Sequence, residues 1–143
     1  MRSLMNIIKE IATHYKTDDQ SLYKLSKMAR EGIPYSSFTL IVEDNPFDLS
    51  DWAKFLDISE RTLQRYKKED TTFSLLHSEK ILEIALLNLK GIEVFGNKEN
   101  YHTWLDSKSI ALGGIKPREL LDNHFGIELI RGELIRIEHG VLA

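Results

Sequence analysis

Apolar residues recur along most of this chain at intervals of three and four, the spacing that lines one side of an α-helix. Leu4, Ile7, Ile8, Ile11, Ala12 and Tyr15 form one such set, and Leu22, Leu25, Met28 and Ala29 a second. The break at Lys16-Thr17-Asp18-Asp19 offers aspartate to cap the second helix, and Gly32-Ile33-Pro34 ends it. Tyr35 to Glu43 is ambiguous. Its Phe38-Thr39-Leu40-Ile41-Val42 run has strand propensity, but it is short and sits among helices, so a helix is favoured. Asn45-Pro46 then breaks the chain.

The pattern sharpens from Leu49. Ser50 is placed to cap a short helix holding Trp52, Ala53 and Leu56, and Asp57-Ile58 reads as a turn. Ser59 caps a second helix, Glu60 to about Lys68, with Leu63 and Tyr66 facing inward. Ser78 is placed to cap a longer, very apolar helix carrying Ile81, Leu82, Ala85, Leu86, Leu89, Ile92 and Phe95, which Gly96 terminates in a left-handed conformation. That helix is wide for a monomer: its apolar face reads first as core, with a dimer seam as the alternative. Asn97 caps a helix reaching Trp104-Leu105, and both Trp52 and Trp104 read as core aromatics. Pro117 opens a short helix through Leu120 and Leu121. Gly126 separates it from a final helix whose apolar stripe is Ile127, Ile130, Leu134, Ile137 and Val141, with Gly140 as its stop. The expected fold is all-α, without internal repeats or low-complexity segments. The 69–78 stretch is the best candidate boundary between two lobes.

The segment from Leu49 to Lys68 fits a helix-turn-helix. Ala53 is the small residue that lets two helices cross, Ile58 plugs the core after the turn, and Leu63 faces the first helix. The turn residue is often glycine; Asp57 tolerates the left-handed conformation less well than glycine but better than most. The second helix turns Arg61, Thr62, Gln64, Arg65, Lys67 and Lys68 toward its polar positions. Arginine pairs with guanine edges, glutamine with adenine, and lysine with phosphate. Arg61, Thr62, Gln64 and Arg65 are therefore the candidates for a DNA groove, since N-terminal residues of this helix usually read bases. Lys67 and Lys68 suit the phosphate backbone. The alternatives are a basic, solvated face of an ordinary bundle, or a helix-turn-helix used for protein contacts.

Composition narrows the picture. The 143 residues are 42% apolar and 29% charged, enough for one core or two small lobes. Net charge is −3, so any DNA binding must rest on a local patch, which dimerisation is expected to double. No run approaches the roughly 18 apolar residues of a membrane span. The N-terminal residues lack a signal-peptide pattern, and a cytoplasmic location is expected. The chain has no cysteine, which excludes disulfides, thiolate metal sites and cysteine nucleophiles.

Catalytic chemistry is hard to assemble from these residues. His14, His77, His102, His124 and His139 are scattered, none at metal-ligand spacing with another ligand. His139 beside Glu138 reads as an electrostatic cap near a helix end. Gly113-Gly114 lacks the Gly-Lys-Ser/Thr ending of a phosphate loop and reads as a tight turn before Pro117. No nucleophile elbow is present. The chain is expected to be no enzyme and to need no metal or cofactor.

The C-terminal third is more specific. Trp104-Leu105, then Ala111-Leu112-Gly113-Gly114-Ile115-Lys116-Pro117-Arg118-Glu119-Leu120-Leu121, then Gly126 and the closing Leu134-Ile135-Arg136-Ile137-Glu138-His139-Gly140-Val141 together resemble the toxin-binding domain of the Xre/MbcA/ParS antitoxin family. Ile58-Ser59-Glu60-Arg61-Thr62-Leu63-Gln64-Arg65 is similar to the family's helix-turn-helix, and Val94-Phe95-Gly96 to its connecting helix. Two positions depart from it. Lys116 stands where a capping Thr or Ser is usual, and Gly132 lies inside the final helix, costing up to about 1 kcal/mol relative to alanine.

The resemblance implies an Xre-like helix-turn-helix bundle followed by a small helical toxin-binding domain. The expected divisions are 1–76 for the N-terminal helices and the motif at about 49–68, 77–96 for a connecting or dimerisation helix, and 97–143 for toxin binding. It implies a type II antitoxin that neutralises a RES-domain toxin, the toxin being the partner that consumes NAD. It also implies repression of its own operon through promoter DNA, as a homodimer within a toxin–antitoxin hetero-oligomer. Gly113, Gly114 and Pro117 are the implied shape-setters of the toxin-binding surface, with Arg131, Arg136, Glu138 and His139 as further contacts. The alternative function is a stand-alone transcriptional regulator without a toxin partner.

Overall fold

Residues 4–14, 18–43 and 45–140 are described by a computed structural model. Their order is α1 (Leu4–His14), α2 (Asp19–Glu31), α3 (Tyr35–Glu43), α4 (Leu49–Leu56), α5 (Glu60–Glu69), α6 (Leu75–Phe95), α7 (Lys98–Leu105), a 3-10 turn (Pro117–Leu120) and α8 (His124–Glu138). The architecture is all-α, and among the described residues the extended contacts are isolated bridges rather than strands. The expected Tyr15 and Val141 positions fall outside the described residues.

The chain forms two compact units, Met1–Leu86 and Leu87–Ala143, and their division falls inside α6. In the first, α1 packs on α3, α3 on α5, and α4 on α5. The strand-prone run in α3 is helical because tertiary burial overrides propensity: Tyr35, Phe38 and Ile41, three apart, all face the core. Phe38 meets the Trp52 ring edge-on, with centroids 5.1 Å apart, and Phe73 at the same separation. Phe47 and Phe55 add a further edge-to-face pair. In α2 the inward positions include Ser21 and Ala29, whereas Leu22 is 45% exposed, so the apolar set expected there is only partly core.

Three local expectations change. The cap of α4 is Asp48, not Ser50: its side chain accepts from the Asp51 N–H while Asp51 accepts from the Asp48 N–H. Helix α6 begins at Leu75, with the Ser74 hydroxyl accepting from His77 N–H, so Ser78 lies one turn inside it. Buried Ser78 has a long-range task, since its hydroxyl accepts the Ile33 N–H at 2.9 Å and donates to the Phe73 carbonyl. It thereby holds the short pairing of Pro34 with Thr72, next to which Gly32 has φ +82° and no room for a Cβ beside the Phe73 carbonyl. Third, Gly126 lies within α8 rather than before it; Asn123 caps that helix by accepting from the Gly126 N–H. A Cβ at Gly126 would sit 1.9 Å from the Leu120 carbonyl oxygen, so glycine is what lets α8 approach the 3-10 turn.

In the second unit Tyr101 is fully buried and its ring covers Gly91, where a Cβ would lie 2.0 Å away. Its hydroxyl donates to the buried Asn88 side chain, and burial pushes that hydroxyl far above the usual tyrosine range. Trp104 is only half-buried, against Phe95 and Tyr101. Residues 81, 82 and 84–88 of α6 are all buried, which accounts for the breadth of its apolar surface as core.

Candidate functional site

The helix-turn-helix is built by a left-handed residue between two capped helices. Asp57 takes φ 54° and ψ 49°, and the Ile58 N–H reaches back to the Ala53 carbonyl at 3.0 Å. Lys80 of α6 donates to the Phe55 carbonyl at the end of α4, where a cation also suits the helix dipole. Ser59 then caps α5 by accepting from the Thr62 N–H at 3.0 Å. At its other end α5 stops on Asp70, again left-handed, whose carboxylate accepts the Ser36 N–H and so caps the start of α3.

Leu63 is fully buried and Tyr66 packs its ring on Phe73, which fixes the rotation of α5 about its axis. At 100° per residue, Arg61, Gln64, Arg65 and Lys68 then share the opposite face, and all four are exposed. Lys67 is exposed on the flank nearer Leu63. Thr62 differs: it is half-buried, and its hydroxyl accepts from Ser59 within the cap. Arg65 lies 5.8 Å over the Tyr66 ring, which steadies its stem while leaving it in solvent. The arrangement offers cations and an amide along one side of a rigid helix.

The second unit presents a different surface. Residues 109–115 form a tight hairpin turn: Ser109 N–H donates to the Ile115 carbonyl, and Gly114 N–H to the Ser109 carbonyl at 2.7 Å. Gly113 and Gly114 have φ +85° and +82°, consecutive left-handed values that only glycine adopts readily, with open space where a Cβ would stand. The turn lifts Ile110 to 96% exposure. Pro117 is buried at the start of the 3-10 turn. Lys116 has no side-chain acceptor to cap that turn; the Glu119 carboxylate accepts its backbone N–H instead.

On α8, Arg131 is turned inward, 8% exposed, and pairs with Glu128. Arg136 is exposed and donates to buried Glu133 at 3.0 Å. Glu138 is bonded by Lys90 at 2.7 Å, and that ammonium holds its carboxyl below the usual glutamate range. His139 ends the helix on the Ile135 carbonyl and is exposed. Two features were not singled out from sequence. One is the exposed apolar set of Phe125 at 81% and Leu129 at 54%. The other is the Arg118–Asp106 ion pair at 2.5 Å. The apolar set could have been found, because both residues lie off the Ile127–Ile130–Leu134 stripe; the ion pair joins the end of α7 to the 3-10 turn and leaves no periodic signal.

No group of three or more His, Asp or Glu among the described residues could hold a metal ion. No helix of the described residues is long and apolar enough to cross a membrane.

The sequence matches two family models. One, described as the antitoxin Xre-like helix-turn-helix domain, covers residues 24–86; the other, the antitoxin Xre/MbcA/ParS C-terminal toxin-binding domain, covers residues 90–140. The chain is also similar to a protein named antitoxin Xre from Photorhabdus laumondii subsp. laumondii, 23% identical over 120 residues, spanning 83% of this chain and 81% of that one. With both domains present in that order along one polypeptide, the protein belongs to the Xre-type antitoxin family.

Proposed function

We propose that this chain is the antitoxin of a type II toxin–antitoxin pair, binding and neutralising a cognate RES-domain, NAD-consuming toxin through its C-terminal domain. The observation that carries it is the succession of a helix-turn-helix match over 24–86 and a toxin-binding match over 90–140. The NAD chemistry belongs to the toxin; this chain acts by occupying it, in the cytoplasm, and is no enzyme. Gly113, Gly114 and Pro117 shape the surface, Arg136, Glu138 and His139 lie at its solvent side, and Arg131 acts from within the unit by bracing α8.

The second arm of the proposal is repression of the chain's own operon. Arg61, Gln64 and Arg65 would meet base edges, Thr62 would act at the helix start, and Lys67 and Lys68 would meet phosphate. A net charge of −3 makes single-chain affinity modest, which favours binding as a homodimer inside the toxin–antitoxin complex, where two linked sites raise avidity.

Co-expression with the adjacent gene tests both arms. The expected result is rescue of growth, a co-purifying complex, and retention of upstream DNA that is lost with Arg65→Ala. A neighbour that is harmless alone, together with full DNA binding by the isolated chain, would instead establish a stand-alone regulator.

A further inference from the structure

Besides the glycine turn and polar groups proposed above as toxin contacts, the C-terminal domain carries an exposed apolar surface. Helix α8 is two-faced. Ile127, Ile130 and Leu134 are fully buried on one side. Rotation by 100° per residue places Phe125, Leu129, Gly132 and the exposed Arg136 on the opposite side, with Ile135 at its edge. That side should be polar if only water met it. Instead Phe125 is 81% exposed, Leu129 54% and Ile135 41%. At Gly132 a Cβ would meet nothing closer than the Arg136 guanidinium at 3.6 Å, so the middle of the stripe is flat. The one charge on this face, Arg136, is paired with Glu133, and those bordering it are also engaged: Arg131 with Glu128, and Glu138 with Lys90.

We propose that this outward face of α8, formed by Phe125, Leu129, Gly132 and Ile135, is a ridge that docks into an apolar groove on the toxin. The proposal rests on the antitoxin reading given above and names the contact surface of that reading. Two observations favour the toxin as occupant. The whole ridge lies inside residues 90–140, the segment matched by the toxin-binding family model. Its exposed side chains amount to roughly 300 Å², well under the roughly 800 Å² per partner of a stable interface. A symmetric contact of α8 with its own copy would be too small by itself; a globular partner that receives the ridge in a groove reaches more of the unit around it. Internally neutralised borders also suit a dry contact, because no unpaired charge has to lose its water. Recognition then follows the helix-in-groove mode, with Phe125 and Leu129 as anchors at i and i+4 and Gly132 at i+7 leaving room for the groove wall.

The test uses the full chain co-expressed with the product of the adjacent gene. Phe125→Glu and Leu129→Glu are expected to weaken that complex by roughly 30-fold or more, the range of interface anchors, and to abolish growth rescue. Retained helical circular dichroism and upstream DNA binding would exclude unfolding as the cause. Gly132→Leu supplies a variant expected to keep the fold, since leucine is the better helix former and a Cβ there would meet only the flexible Arg136 guanidinium, at ordinary contact distance of 3.6 Å. It should melt no lower than the wild type yet bind the toxin at least tenfold more weakly. Wild-type affinity in all three variants would overturn the ridge while leaving the antitoxin reading intact. Loss of self-association with unchanged toxin affinity would also overturn it, assigning the face to a second copy. Failure of the wild type itself to bind or rescue would overturn the antitoxin reading and the ridge together.

Discussion

Helices α5 and α8 are both held on one side, α5 by Leu63 and Tyr66 and α8 by Ile127, Ile130 and Leu134, and present a candidate binding face on the other, yet the two faces are built from opposite chemistry. That of α5 carries Arg61, Gln64, Arg65 and Lys68 in solvent. That of α8 carries Phe125 and Leu129, with its neighbouring charges tied into ion pairs. A polar face keeps its water and acts through long-range attraction, which salt screens. An apolar face gains only on close contact and must lose water to do so. Under the proposed function, one chain would separate a salt-sensitive contact from a salt-tolerant one.

The strongest way to sharpen this contrast is a salt titration. Raising salt from 50 to 200 mM should weaken upstream DNA binding by about 10³-fold or more if two chains together meet six or more phosphates, whereas toxin affinity should barely change. Lys67→Ala and Lys68→Ala, each removing one phosphate contact from both chains, should each lower the salt slope by about 2. Equal salt sensitivity of the two contacts would break the comparison.

Stability measurements come next. Leu63→Ala removes the fully buried anchor of α5 and should cost about 2–5 kcal/mol by chemical denaturation, with DNA binding lost as the helix loses its seat. Gly126→Ala pushes a methyl into the Leu120 carbonyl and should cost about 1–3 kcal/mol, felt in the toxin-binding unit and not in DNA affinity. A matching loss of DNA binding in Gly126→Ala would show that the two faces are not separable. Ser59→Ala removes the cap of α5 and should cost about 1 kcal/mol.

The smallest expected effect is electrostatic. Lys90 lowers the Glu138 carboxyl below its ordinary value, so this pair stabilises the fold fully above the unfolded glutamate range and is lost as pH falls through the lower folded value. Both partners are about one-third exposed, so Lys90→Met should cost less than about 1 kcal/mol at neutral pH and nothing in acid. A melting series from pH 7 to 3 measures it.

How much of this was legible depends on how far each signal reaches along the chain. The Asp57 turn, the Ser59 and Asn97 caps and the Gly96 stop each act within a few residues, and each occupies the place its residue type indicates. Ser78 misleads because a serine before an apolar run looks like a cap, whereas its partners, Ile33 and Phe73, come from a bridge whose halves are far apart in sequence. Gly126 misleads similarly: glycine near a helix start reads as a break, but here it answers to Leu120 on the neighbouring turn. Arg131 sits on a mixed-sign sequence face and is nonetheless inward, because pairing with Glu128 lets the charge approach the core.

By itself the sequence determined the all-α class, the helix-turn-helix with its basic second helix, and the order of motifs that points to a toxin-binding C-terminal domain. The first two follow from periodicity and local capping, which are properties of neighbouring residues; the third rests on resemblance to a family's motifs. Only the tertiary structure decided which side of each helix is left in solvent. That choice turned Arg131 inward, because the face a helix shows is set by what packs against its other side.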